Sequence, residues 1–242
     1  MTGQSGQPGH TRQRPWGVRV AVIDSGVHAQ HPHVNGVAGG VAFDSSGREH
    51  GDYVDRLGHG TAIAAAIRDQ APAAEIFAVK VFDRQLSTPI GHLVQAIEWA
   101  AREGMHVANL SLGTARREHA AALRTAIELA IARHVLVVAA REDDGVLYWP
   151  GCLEGVLPVQ VDWTCSRREF RVVQMEGRAV VRASGLPREI PGVPPSRNLH
   201  GVSFAVANTT GCVARVMEGL ADRSLEAVLQ RIARRAEGSE AG

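Results

Sequence analysis

An aspartate, a histidine and a serine stand far apart along the chain, each beside small residues: Asp24-Ser25-Gly26, Gly58-His59-Gly60-Thr61 and Gly201-Val202-Ser203-Phe204-Ala205. Brought together, these side chains can run nucleophilic acyl transfer, with the hydroxyl attacking, the imidazole taking its proton and the carboxylate orienting the imidazole. Singly, each has an ordinary structural reading. Asp-Ser-Gly suits a strand-ending turn, a lone His is more often structural, and Ser at a helix start is commonly an N-cap. A serine there also lies near unpaired backbone N–H groups and the positive end of the helix dipole, which stabilise an alkoxide or an oxyanion.

The elements that must position these residues are legible as periodicities. Apolar, β-branched runs at residues 18–23, 75–82, 106–112, 135–140 and 156–161 predict buried strands. Between them, Ile90, Leu93, Val94, Ile97 and Ala101 share one helix face, and Leu123, Ile127, Ala130 and Ile131 share another. Residues 62–67 continue from His59 in a helical pattern, and a last helix is expected near 224–235. Residues 170–174 and 178–183 flank Met175-Glu176-Gly177 as a hairpin, and 184–195 reads as loop. Alternation of strand and helix predicts an α/β chain with a mostly parallel sheet, helices on both faces and functional residues at the carboxyl ends of strands. Asp24 stands at such an end.

The 242 residues carry 26 basic and 25 acidic side chains, so neither a nucleic acid nor a membrane surface is expected as partner. Residues 1–15 read as a flexible polar tail without the apolar run of a signal or span, and 16–242 as a single domain. Cys152, Cys165 and Cys212 are odd in number and widely spaced, which suits unpaired thiols and a cytoplasmic location.

In the order Asp, His, Ser, with each at an element boundary, the three motifs resemble the subtilase family of subtilisin-like serine peptidases. Ala21-Val22-Ile23-Asp24-Ser25-Gly26-Val27 is similar to that family's Asp motif, with His31-Pro32 where a His-Pro pair often follows. Asp55-Arg56-Leu57-Gly58-His59-Gly60-Thr61 is similar to its His motif. Ala71-Pro72, Ala78-Val79-Lys80-Val81, Ile97-Glu98-Trp99-Ala100 and Asn109-Leu110-Ser111-Leu112-Gly113 then match successive segments in order, so that the resemblance covers residues 16–219.

The resemblance implies a three-layer subtilisin-like fold in a divergent, minimal-core member. It makes Ser203 the nucleophile, His59 the base that later protonates the leaving amine, and Asp24 the carboxylate that orients it. Ser111, Leu112 and Gly113 match the family's edge segment, where an extended peptide or protein substrate pairs with backbone groups, although they also read as the end of a core strand. After residues 135–140 the family continues with Gly-Asn, whose amide joins the Ser203 backbone in the oxyanion hole. Here the chain continues Arg141-Glu142-Asp143-Asp144-Gly145. Ungapped alignment puts Asp143 at the amide position, and a shift of one residue puts Glu142 there. An ionised carboxylate repels an oxyanion, whereas a protonated one donates a hydrogen bond. Arg141 and Glu142 replace small residues of the first specificity pocket and are expected to narrow or polarise it, favouring a small or basic residue before the cut. Val202, Ala207, Asn208 and Ala62 depart from the family's usual residues with less consequence.

A serine endopeptidase that cleaves an extended polypeptide, with processing of a specific precursor peptide as its narrower form, is the leading functional expectation. A catalytically impaired pseudo-peptidase that binds peptide or a partner subunit is a second, and a transpeptidase or peptide cyclase a third. No cofactor is expected. His28, His31 and His33 read as a solvated loop rather than a metal site. Calcium, common in the family, finds only the scattered Asp44, Asp52 and Asp55.

Overall fold

A computed structural model of the chain describes residues 17–194 and 197–239. The tail expected over residues 1–15 lies outside them. In chain order the elements are β1 (Arg19–Asp24), β2 (Gly39–Phe43), β3 (Glu49–His50), α1 (His59–Gln70), β4 (Glu75–Lys80), α2 (Ile90–Arg102), β5 (Val107–Leu110), α3 (Ala120–Ala132) and β6 (Leu136–Ala140). There follow β7 (Glu142–Asp143), β8 (Val146–Leu147), β9 (Val156–Val161), β10 (Phe170–Met175), β11 (Arg178–Ala183), α4 (Val202–Met217) and α5 (Leu225–Ser239).

Nine strands form one sheet in the order β10-β11-β9-β6-β5-β1-β4-β2-β3. The seven from β11 to β2 run parallel, and only the outermost, β10 and β3, are antiparallel to their neighbours. The unbroken apolar runs are explained by this arrangement, because a central parallel strand buries both faces. In β1, Val20 and Val22 join the core under α1, α4 and α5, while Ala21 and Ile23 join the core under α2 and α3. β6 divides likewise, with Leu136, Val138 and Ala140 on the first face and Val137 and Ala139 on the second. These are the three α/β layers expected from the sequence.

Parity along the strands then places the polar residues. Asp24 follows Val22 by two positions and so faces α1 and α4, as does Asn109 between Ala108 and Leu110 of β5. α4 is buried along almost its whole length, and its small residues allow close approach to α1: a Cβ on Gly211 would collide with Gln70. β1 starts at the centre of the sheet with β4 on one side and β5 on the other, which makes its carboxyl end the place where the chain's winding reverses.

The expected strands, helices and β10–β11 hairpin all form, with β4 ending at Lys80 rather than at 82 and β5 at Leu110 rather than at 112. β2, β3 and the β7–β8 hairpin had no sequence expectation. β2 begins with two glycines because it lies close on β4, where a Cβ at Gly40 would collide with the Ala78 carbonyl.

Candidate active site

Asp24 is fully buried at the end of β1. Its Oδ1 accepts the Ser25 N–H at 2.8 Å and lies 2.8 Å from His59 Nδ1, while Oδ2 is buried without a hydrogen-bond partner. An ionised carboxylate only accepts, so Nδ1 carries the proton and the neutral ring presents a bare Nε2.

His59 is the first residue of α1, and Gly58 before it adopts φ of 85°, a left-handed conformation that glycine takes at little cost. Gly60 lets α1 approach β1: a Cβ there would collide with the Gly26 carbonyl and stand 3.1 Å from Asp24 Cβ. The imidazole side chain is 19% exposed, leaving an edge open to solvent. Burial by itself lowers the His59 pKa, but the hydrogen bond and charge of Asp24, with the charge of Asp55, outweigh it and raise the pKa above 6.5.

Ser203 is the second residue of α4, where backbone N–H groups have no partner within the helix. Its Oγ donates to the Ser111 carbonyl at 3.0 Å, and the Ser111 Oγ donates to the Ser203 carbonyl at 3.2 Å. Asn109 Nδ2 donates to Ser111 Oγ at 2.8 Å, and Thr210 Oγ1 donates to Asn109 Oδ1 at 3.0 Å, tying the pair into the buried face of α4. A hydroxyl has one proton, so Ser203 in this resting arrangement does not donate it to His59.

His59 and Ser203 line one cleft of about 710 Å³. Ser111, Leu112 and Gly113 form part of one wall, leaving β5 before Thr114 exchanges N–H···O bonds of 2.9 Å with Trp149. Thus the edge expected from sequence is at the site, but beyond the strand proper.

In the segment after β6, Asp143 and Glu142 are turned to different surroundings. Glu142 pairs with Leu147 and Asp143 with Val146 across a short hairpin, and successive residues of an extended chain face opposite ways. Asp143 lines the cleft; Glu142 accepts from Gln160 Nε2 at 3.0 Å. Burial, then the charge of Asp144, raises the Asp143 pKa. Arg141 and Glu142 are not among the residues that line this cleft, and Glu142 lines a neighbouring one with Asp143 and Gln160. Arg141 is buried away from it with its guanidinium 2.7 Å from Glu176 on the β10–β11 turn.

Sequence reasoning missed Tyr148, Ala140 and Thr114 in the cleft, and the opposite wall from Phe82 through Ser87 to Leu93. No motif signals them: Ala140 ends β6, Leu93 lies in α2, and the others enter from the connecting segments. His28, His31 and His33 lie in the loop after β1, and among the described residues no group of three or more His, Cys, Asp or Glu could hold a metal. Asp44 and Asp52 are engaged by Ser46 and Arg56. Among the described residues no helix is long and apolar enough to cross a membrane.

Comparison with known proteins agrees with the family resemblance. The model of the subtilase family matches residues 16–241. M-protease of Shouchella clausii (strain KSM-K16) is 33% identical over 217 residues, covering 85% of this chain and 53% of the relative, so the chain spans about half that protein's length. Subtilisin Savinase of Lederbergia lenta is 33% identical over 214 residues, covering 84% of this chain and 77% of the relative. The crystal structure of a lanthipeptide protease shares the fold with a TM-score of 0.66 at 20% identity, over 87% of this chain and 77% of that one.

Proposed function

The chain belongs to the subtilase family of serine-type endopeptidases, and from that premise we propose that it hydrolyses peptide bonds of an extended polypeptide through Asp24, His59 and Ser203. The observation that carries the reading is the 2.8 Å pairing of buried Asp24 with His59 beside a cleft shared with Ser203 at the start of α4.

In this mechanism a substrate strand lies along Ser111, Leu112 and Gly113, and the Ser203 hydroxyl leaves the Ser111 carbonyl by side-chain rotation. Its oxygen attacks the scissile carbonyl carbon as His59 Nε2 takes the proton, and Asp24 stabilises the imidazolium that forms. His59 then gives that proton to the departing amine, leaving an acyl group on Ser203. Water, deprotonated by His59, cleaves the ester and returns the hydroxyl. The Ser203 backbone N–H is one donor to the oxyanion, and Asp143, which lines the same cleft, adds a second only in its protonated form. Processing of one precursor peptide, presented as an extended leader, is the substrate we infer; the edge at Ser111, Leu112 and Gly113 suits any such unfolded segment.

Labelling by a fluorophosphonate probe tests the reading. A Ser203-dependent adduct, lost in Ser203→Ala, is expected. Its absence supports the second reading, a pseudo-peptidase that binds peptide or a partner subunit, which is favoured by the carboxylate of Asp143 where an amide donor was expected. Product analysis with an added amine separates hydrolysis from transpeptidation, since the same acyl group then passes to nitrogen instead of water.

A further inference from the structure

Four residues before His59, Asp55 accepts five hydrogen bonds. Oδ1 takes the Ser25 hydroxyl and the Leu57 and Gly58 N–H groups, each at 2.9 Å, and Oδ2 takes the Thr61 N–H at 2.9 Å and its hydroxyl at 2.6 Å. The Ser25 hydroxyl in turn accepts the Gly60 N–H at 2.9 Å. Ser25 is the neighbour of Asp24, and Gly60 is the neighbour of His59. The two halves of the Asp24–His59 pair are therefore joined a second time, one residue further along each chain, by a bridge whose free end is anchored on Asp55.

We propose that Asp55 is a positioning residue whose carboxylate clamps the carboxyl end of β1 to the first turn of α1 and so fixes His59 against Asp24. The inference rests on the triad reading given above. α1 has no side-chain cap of its own at Gly58, and Asp55 supplies acceptors to N–H groups on both sides of it. A negative charge at this end of a helix is also favoured by the helix dipole. Without Oδ1, the Ser25 hydroxyl loses the acceptor that points its lone pairs at Gly60, and the helix start can shift away from β1.

The carboxylate also acts across space. Burial would raise the Asp55 pKa, but the bonds from Thr61, Leu57 and Gly58 outweigh it and hold the group below the ordinary carboxyl range, so it is ionised at neutral pH. The charged groups acting on His59 are Asp24 from β1 and Asp55 from the preceding loop; Asp143, Arg116 and His119 line the same cleft, and α4 presents Ser203 and the Phe204 ring, its centroid 6.0 Å from the imidazole.

Asp55→Asn tests this in the full chain. The amide keeps the size and one acceptor but loses the charge and faces the Thr61 N–H with a donor. The expected result is a fall in kcat of about a hundredfold with KM little changed, the scale of a displaced catalytic group. The His59 pKa, followed by NMR of the imidazole in a Ser203→Ala background, is expected to fall. That titration needs no turnover, so it judges the clamp even if the chain proves to be a pseudo-peptidase. An unchanged His59 titration, in a variant of unchanged unfolding temperature, overturns the proposal, and so does a kcat within about twofold of the parent where turnover is measured. Should Asp55→Asn fail to fold, Ser25→Ala breaks the bridge while keeping the loop bonds of Asp55. The same NMR signal then decides: a His59 resonance and titration identical to the parent overturn the clamp, and a displaced resonance supports it.

Discussion

Ser203 and Ser111 each donate a hydroxyl proton to the other's carbonyl, at 3.0 and 3.2 Å, across 92 residues of sequence. The pair docks the start of α4 on the chain leaving β5, and it directs the Ser203 hydroxyl proton to a carbonyl and not to His59. Ser111→Ala removes one of the two bonds and leaves the buried Asn109 amide without that acceptor. The expected cost is about 1–3 kcal/mol. Thermal unfolding should show it as a fall of roughly 2–4 °C per kcal/mol for a chain of this size. An unchanged midpoint would mean that the pair contributes nothing to docking α4.

The pH dependence follows from the Asp24–His59 pair. Because the base must be neutral and its pKa is raised, kcat/KM should climb with pH through an apparent pKa above 6.5. Stability has the opposite sign. The interaction of imidazolium with Asp24 and Asp55 is fully present below 6.5 and is lost as pH rises through the folded-state value. A pH–rate profile whose acidic limb falls below 6.5 would show that the carboxylates do not govern His59.

Asp143→Asn supplies an amide donor at every pH, whereas Asp143 donates only when protonated. Its pKa is raised by burial and by Asp144, so the parent gains the donor as pH falls. We expect the variant to turn over faster, with the largest gain at alkaline pH. The ceiling is about 10²–10³, the effect of losing one such donor in subtilisin, a relative of this chain. Equal rates for parent and variant across the profile would place Asp143 away from the oxyanion.

Gly60→Ala puts a methyl group onto the Gly26 carbonyl and against Asp24. Overpacking of this kind costs about 1–3 kcal/mol. More tellingly, α1 must retreat from β1 and stretch the 2.8 Å Asp24–His59 contact. Loss of fluorophosphonate labelling at a temperature where circular dichroism still reports the fold is the expected outcome; full labelling would show that the close approach is dispensable.

Apart from β2, whose Val41 joins one core, the sequence by itself determined the strands and helices of both cores, the parity that turns Asp24 toward α1 and α4, and the helix starts that carry His59 and Ser203. Each of these is a local property, set by the period of buried side chains or by a glycine's backbone freedom. Tertiary structure alone decided which acid faces the cleft, where Arg141 goes and what the Ser203 hydroxyl bonds. Those outcomes depend on Gln160 for Glu142, Glu176 for Arg141 and Ser111 for Ser203, partners 18, 35 and 92 residues away. A side chain's direction is chosen by the partner that the fold brings to it, and no period along the chain encodes that partner.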